Sequence, residues 1–552
     1  MDGAHDLEEA YFERLKTSET WSGIPTRPLY RPEDLRELDY GRDLGDPGEY
    51  PYTRGVHRDM YRGRLWTRRE VCGFGSARDT NARLRFQIAQ GVSGLSVIDD
   101  NAGSLGIDAD HPRGIAEAGV QGVSVSSLRD MEELFDGIPI DRVSVAFDIS
   151  GLDCIAWMAM YVALAERRGV DLASLRGTVQ NDTLHFQFCG YGDSCPVDLG
   201  VKTSVDIIEF CTRRMPRWYT GNANLYDMRE QGLDASQEIA FGLSLAVAYV
   251  RKAIERGLAV DEFAPRRAFY CSAHVDFFEE VAKLRAARRL WARWMREHFG
   301  ARDPRSWQFR FGVHTAAVSL VPQQPLNNAI RVAYQALAAV LAGAQSVHCC
   351  SYDEPIGLPT EASQTLAIRT QQILAHETGV GRVADPLGGS WYVESLTDQI
   401  EAGARRIMEE IEQVGGMIAA IKSGWVLAEV EKAALRRQQE IERGEKIVVG
   451  VNAFRAAREK ETPGGVHVSP PGQGEALAAA VRDLRATRDR GRVSRALRAL
   501  SEQARLGEHE NVLPSMIEAA KASATVGEML GTVRAAAGHL YDPLGVLPPP
   551  EL

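Results

Sequence analysis

The side chains able to do chemistry gather where short apolar runs of the chain stop. Asp99 and Asp100 follow one such run, Asp148 another, and Gln180, Asn181 and Asp182 a third. Tyr226 with Asp227, then His274, His314, Gln345 and His348, close the later runs. Each alone reads as a helix cap or a satisfied core polar group. Several converging on one mouth point to a ligand, because burying polar groups without partners costs free energy. His274, His314 and His348 could be drawn as a zinc set, but no HxH or HExxH accompanies them, and the pattern assigns no metal. Cys349-Cys350 offers thiols without a paired base close in sequence. Ahead of the first run crowd Arg54, Arg58, Arg62, Arg64, Arg68 and Arg69. Arginine forks suit phosphate, and a basic cluster in an acidic chain focuses a polyanionic ligand.

These residues need a scaffold. Apolar runs at 94–99, 122–127, 143–148, 177–181, 220–226, 267–272, 307–313 and 345–350 read as strands. Between most of them lie stretches such as "EVAKLRAARRLWARWMREHF", whose apolar residues recur at three and four. Strand–helix alternation of this kind predicts an α/β chain, a (β/α)8 TIM barrel with an open doubly wound sheet as its rival. In a barrel of this type function sits at the carboxyl ends of the strands, where the polar residues above fall. The nearest approach to a dinucleotide fingerprint is "CGFGSA" at 72–77, where Gly73 and Gly75 lack the third glycine. The expected organisation is an N-terminal arm over 1–65, broken by Pro25, Pro28, Pro32, Pro47 and Pro51, then a barrel over 66–395. A helical extension follows over 396–455, and then a linker and C-terminal helices with a flexible tail over 456–552.

The chain has 552 residues, 44% of them apolar, and a formal net charge of −11. That is enough apolar sequence for a large core, and the charge argues against a nucleic-acid partner, which needs a basic face. Eight cysteines without a CxxC pair or regular spacing fit a reducing compartment. The acidic N-terminus is not signal-like, and no apolar stretch reaches the roughly 18 residues of a membrane span. A cytoplasmic protein with no membrane partner is the expectation.

Several ordered runs coincide with one family. "YPYTRGVHRDMYRGRLWTRREVCGFGSARDTNARLRFQIAQGVSGLSVIDD", "GTVQND", "DEFAPRRAFY", "FFEEVAKLRAARRLWARWM", "GAQSVHCCSYDEPIGLPTE" and "VADPLGGSWYVESLTDQI" resemble the adenosylcobalamin-dependent acyl-CoA mutases, the methylmalonyl-CoA mutase family. "IVVGVNAF" and "ASATVGEML" carry the likeness past residue 520. Length and content resemble the large subunits of the split forms, the 2-hydroxyisobutyryl-CoA and isobutyryl-CoA mutases. The resemblance implies a barrel with the CoA thioester threaded through its centre and the acyl group facing cobalamin. A 5′-deoxyadenosyl radical then takes a hydrogen from the substrate, the acyl skeleton rearranges, and the hydrogen returns. The family's cobalamin-binding D-x-H-x-x-G does not occur; "DADHPRG" at 108–114 is off by one residue. A separate small cobalamin-binding subunit is therefore implied, in a heterotetramer around a homodimer of large subunits. Several family members also use a G-protein chaperone to reload the cofactor.

Carried over residue by residue, the resemblance gives Met60, Arg64, Thr67, Arg69, Arg310 and Gln345 to CoA and cofactor contacts. It puts Gln180 near the thioester carbonyl. The departures define the expected chemistry. Val71 replaces a tyrosine that crowds the substrate of methylmalonyl-CoA mutase, and Gly190 replaces the arginine that meets the substrate carboxylate. An unpaired buried carboxylate is unfavourable by several kcal/mol, which argues against methylmalonyl-CoA as substrate. Asp227 replaces a histidine thought to hydrogen-bond the thioester carbonyl; an ionised Asp cannot donate, so it must be protonated, re-aimed or paired. Gly312 and His314 stand where the family reads His and Gln, and Asp99 and Asn101 come close to the pocket. An intact scaffold with a changed mouth implies a mutase for a hydroxyacyl, branched, aryl or amino acyl thioester, on CoA or an acyl carrier. The alternative is a non-catalytic member serving as a scaffold or regulatory partner.

Overall fold

The computed structural model describes residues 18–190, 192–455 and 465–550; the expected linker's 456–464 and the first 17 residues of the arm lie outside the described residues. Ten short strands form two five-stranded sheets. They are β1 (Thr67–Arg69), β2 (Val71–Cys72), β3 (Leu95–Val97), β4 (Ser144–Phe147), β5 (Arg176–Val179), β6 (Trp218–Tyr219), β7 (Gly221–Asn224), β8 (Arg267–Ala273), β9 (Phe311–Thr315) and β10 (Ser346–His348). One sheet runs β1-β10-β9-β8-β7 and the other β2-β3-β4-β5-β6. The ladders β2–β3, β3–β4, β4–β5, β5–β6, β8–β9 and β9–β10 are parallel. Only Glu70 separates β1 from β2, and only Thr220 separates β6 from β7, so the ten segments trace eight strand positions. Helices fill most of the intervals. This is the α/β, TIM-barrel-like fold that the strand–helix alternation predicts.

One strand was misplaced by sequence reasoning. "GVSVSS" at 122–127 alternates like a half-buried strand, yet it makes only the isolated bridges Asp99↔Val123 and Ser76↔Ser124. The first strand position is instead "TRREVC" at 67–72. Its charges conceal it, because arginine can bury its stem and spend its guanidinium on backbone carbonyls.

The chain divides into two compact units that are discontinuous in sequence. The first comprises residues 1–68, 224–244 and 269–467; the second comprises 69–223, 245–268 and 468–552. The second unit is centred on the helix Asp153–Arg167, which is buried from Asp153 through Ala165. A helix apolar all round belongs inside a core. Trp157 and Tyr161 of this helix pack with Phe135, Phe147 and Trp218 edge-on and tilted, with ring centroids 5.1–6.2 Å apart. The helices Leu513–Lys521 and Val526–Ala536 pack on the same helix, so the C-terminal residues complete this core.

The first unit is organised by the helix Phe277–Glu297, which packs on Trp391–Gln413 with ion pairs across the contact. Arg285 pairs with Glu394 and Asp385, Arg289 with Glu401 and Asp398, and Arg293 with Glu401 and Asp43. The described part of the arm is tied to the same helix: the Trp21 N–H donates to Asp276 at 2.7 Å and the Ser22 N–H to Glu279 at 2.9 Å.

Candidate active site

In the first unit, residues expected to meet CoA lie at the amino ends of strands. Arg310 immediately precedes β9 and Gln345 immediately precedes β10. The Gln345 side chain is fixed at both ends: Oε1 accepts the Phe311 N–H at 2.8 Å and Nε2 donates to the Gly343 carbonyl at 2.7 Å. Its own carbonyl accepts the Thr67 N–H at 2.9 Å. The Arg310 guanidinium donates to Gln308. Met60 is buried with φ +40°, and a Cβ on Gly343 would lie 2.8 Å from its methyl carbon, so Met60 backs the same corner. Arg64 is exposed beside the turn Met60–Arg62. Of the arginine crowd, Arg54 is committed to Asp385 at 3.0 Å. In the second unit Arg69 also serves an amino end, donating to the Leu95 carbonyl at the start of β3 and to Ser144 Oγ at 2.6 Å at the start of β4.

The carboxyl ends carry the remaining expected residues. In the second unit Gln180 follows β5, and its Nε2 donates to Ser150 Oγ at 2.8 Å. Val71 is half-buried in β2, opposite Ser96. Asp99 accepts the Ser104 hydroxyl at 2.9 Å and faces Asp153, which the sequence reading missed. Burial raises the pKa of both acids, and their mutual repulsion pushes Asp153 further up, well above the usual carboxylate range. The adjacent Asp100 has a structural duty: it accepts the Gly103 and Gly119 N–H groups, both at 2.8 Å, and burial lifts it to about 7. Asn101 is turned toward Glu117, to which it donates at 3.0 Å. Gly190 ends the short helix Phe186–Cys189; a Cβ there would lie 2.5 Å from the Phe186 ring, so Phe186 occupies the space a side chain would need.

In the first unit Asp227 lies on the short helix Tyr226–Glu230 and is paired within the chain. Its carboxylate accepts Asn224 Nδ2–H at 2.6 Å while its N–H donates to Asn224 Oδ1 at 3.1 Å. One helical turn on, Glu230 accepts the Val318 N–H at 2.6 Å, and desolvation with the charges of Asp227 and Glu354 lifts it to about 8. Glu354 is lifted to about 7 by desolvation and Asp353. Neither glutamate was singled out from sequence; the i, i+3 spacing of Asp227 and Glu230 was the available signal. His314 sits in β9 with its ring 4.2 Å from Tyr226 and 3.9 Å from His348. Burial depresses its pKa to about 4, so the ring is neutral. A Cβ on Gly312 would lie 2.5 Å from Ser346 Oγ, so a larger residue there requires Ser346 to move. His274 lies against Trp21, with ring centroids 4.9 Å apart.

His274 and Trp21 also border an apolar cavity of about 1010 Å³, with Val318, Ile330, Tyr334 and Arg437 among its walls. His274 Nδ1 and Arg437 Nη1 are buried there without hydrogen-bond partners. Orphaned polar atoms on an apolar wall suit a ligand or partner surface that is itself apolar with polar edges. Among the described residues, no helix is long and apolar enough to cross a membrane.

The sequence profile of the family described as methylmalonyl-CoA mutase matches residues 19–539. The chain is similar to the 2-hydroxyisobutanoyl-CoA mutase large subunit of Aquincola tertiaricarbonis, with 41% identity over 94% of this chain and 92% of that one. It is similar to a methylmalonyl-CoA mutase of Cereibacter sphaeroides, with 42% identity over 93% of this chain and 71% of the other. The mitochondrial methylmalonyl-CoA mutase of Homo sapiens is 35% identical over 94% of this chain and 68% of its own length.

Proposed function

We propose, for a chain that belongs to the methylmalonyl-CoA mutase family, that it is the large, thioester-binding subunit of a split adenosylcobalamin-dependent mutase acting on an acyl group other than methylmalonyl. Gly190 carries this reading. The position lacks the cation that a substrate carboxylate needs, and Phe186 fills the room for one. A hydroxyacyl, branched, aryl or amino acyl thioester, on CoA or a carrier, avoids that unpaired charge. The high identity to a chain named as a large subunit, over 92% of its length, supports a small cobalamin-binding partner.

The residues divide the work by strand end. Met60, Arg64, Thr67, Arg310 and Gln345, in the first unit, would hold the phosphate and pantetheine portion at amino ends. Gln180 would exchange its bond to Ser150 for one to the thioester carbonyl. The protonated member of the Asp99–Asp153 pair can donate to a polar substituent on the acyl group, which an ionised carboxylate cannot do. Val71 leaves room for a branched chain. Asp227, held by Asn224, fixes the short helix that carries Tyr226 and Glu230.

The residues present fit a corrinoid. The apolar cavity and the unpartnered His274 Nδ1 and Arg437 Nη1 offer a surface to an apolar ring fringed with amides. When bound, adenosylcobalamin supplies the organic radical that starts a carbon-skeleton rearrangement. Tyr226, His314 and His348 would wall the reacting groups from water.

The test is turnover by this chain reconstituted with the small subunit and adenosylcobalamin, against thioesters with neutral and with anionic acyl groups. The reading expects an isomeric product from a neutral acyl thioester and none from methylmalonyl-CoA. Preferential isomerisation of methylmalonyl-CoA would overturn it. Gln180→Ala should lower kcat about 100-fold if the amide acts on the developing charge at the thioester oxygen.

A further inference from the structure

The parallel register of β9 and β10 sets His348 opposite His314. Equivalent positions on neighbouring strands point to one face, and Cys350 follows His348 by two residues, the period that returns to that face. The side chains meet: the rings are 3.9 Å apart, and Cys350 Sγ lies 3.6 Å from His314 Nδ1. One donor atom from each of the three residues lies within 4.8 Å of the others, and all three residues are buried. We propose that His314, His348 and Cys350 form a binding site for a zinc-class divalent ion.

Three features of the surroundings support this. The Thr315 carbonyl lies 2.8 Å from His314 Nδ1. That contact fixes the ring with Nδ1 toward the thiol, 3.6 Å from Cys350 Sγ, so Nδ1 is the ring nitrogen placed to share an ion with the sulfur, and it would exchange the carbonyl for the metal. Asp227 acts electrostatically on His314 in the sense that favours a cation beside the ring. The donor set is two imidazoles and a thiolate, which selects zinc over the oxygen-preferring magnesium or calcium.

Burial and the nearby carboxylates raise the Cys350 thiol, which donates to the Thr315 carbonyl at 3.0 Å in the metal-free chain. Binding therefore exchanges a proton for the metal: the S–H bond breaks, the proton leaves to solvent, and the thiolate sulfur takes the ion. Three protein ligands leave a fourth position for water or a substrate donor. No step of the proposed rearrangement requires this ion, so the site stands or falls apart from that reading.

The full chain, without its partner or corrinoid, would be stripped by a chelator and titrated with Co²⁺ as an optical stand-in, then with Zn²⁺. About one equivalent of Co²⁺ should bind, with a thiolate-to-cobalt charge-transfer band in the near ultraviolet that Zn²⁺ abolishes. Cys350→Ser should remove the band, and His348→Gln should weaken binding at least about 10-fold, while Cys349→Ser retains both properties. Folding of each variant is checked by circular dichroism. Binding well below one equivalent, or the same band in Cys350→Ser, would overturn the proposal.

Discussion

Two buried polar regions of this chain solve the same electrostatic problem in opposite ways. In the first unit Lys283 sits between Glu238, at 2.6 Å, and Glu280, and donates to the Ser272 carbonyl at 2.9 Å. Arg229 adds contacts to Glu279 at 2.9 Å and Glu280 at 3.0 Å. Every acid there has a cation, and the network clamps the carboxyl end of β8 to its helix. In the second unit Asp99 and Asp153 face each other with Ser104 as a neutral partner. The first arrangement holds charge by pairing it. The second leaves two acids without a cation, and burial with mutual repulsion raises both pKa values, which favours the protonated form.

Breaking the compensated network should have the largest effect. Lys283→Met leaves Glu238 and Glu280 sharing Arg229, and should lower unfolding free energy by about 3–5 kcal/mol in urea denaturation. A loss below 1 kcal/mol would show that the network is not held as a unit.

The acid pair has a pH signature. The folded pKa of Asp153 lies above its unfolded value of 3.8, so its favourable contribution is complete below pH 3.8 and is lost as pH rises toward the folded value. Asp153→Asn should flatten the fall in stability across that rise. It should be the more stable chain at pH 8 by about 1–3 kcal/mol, measured by denaturation across pH. Parallel wild-type and variant profiles would remove the proton-sharing pair.

Asp43 gives the opposite sign. Arg42 and Arg293, with the Asp39 N–H, outweigh desolvation and hold it at about 2. Its stabilisation is present above pH 3.8 and is lost as pH falls through about 2. Asp43→Asn should cost about 1 kcal/mol at pH 7, with the difference vanishing below pH 2. The smallest effect belongs to Lys521, half in solvent between Glu166 and Glu518. Lys521→Met should change stability by about 0.5 kcal/mol or less, and less at high salt.

The sequence revealed the architecture where periodicity and burial agree. "VSVAFD" and "RAFYCS" became β4 and β8 because short apolar runs rich in β-branched residues in the first and aromatic residues in the second suit a buried strand. It failed where charge is buried. "TRREVC" looks like a solvated basic stretch until Arg69 is seen donating to Ser144. Similarly, the helical spacing of "EVAKLRAARRLWARWMREHF" suggests an amphipathic helix, yet Lys283, Arg285, Arg288 and Arg289 are all buried. Local sequence cannot distinguish a solvated charge from a compensated one, because the compensating carboxylates of Arg285 lie about a hundred residues away, at Asp385 and Glu394.

The same limit applies at the site. Family resemblance supplied Gln180 and the arginine path, and local spacing could not have done so. Asp153 opens an otherwise apolar helix and reads as a cap; only the fold sets it against Asp99. Cys350 was visible as a thiol without a base in sequence, and the strand register supplies its histidine neighbours. His274, grouped by type with His314 and His348, instead faces Trp21 and the apolar cavity.

The central claim is a radical mutase whose acyl group is not methylmalonyl. It is tested most directly by anaerobic electron paramagnetic resonance of this chain with its cobalamin-binding small subunit and adenosylcobalamin, adding one thioester at a time. A coupled cobalt–radical signal with a neutral hydroxyacyl, branched or aryl thioester, and none with methylmalonyl-CoA, is the predicted result. A signal with methylmalonyl-CoA alone, or silence with every CoA- and carrier-bound thioester despite a formed complex, would contradict it.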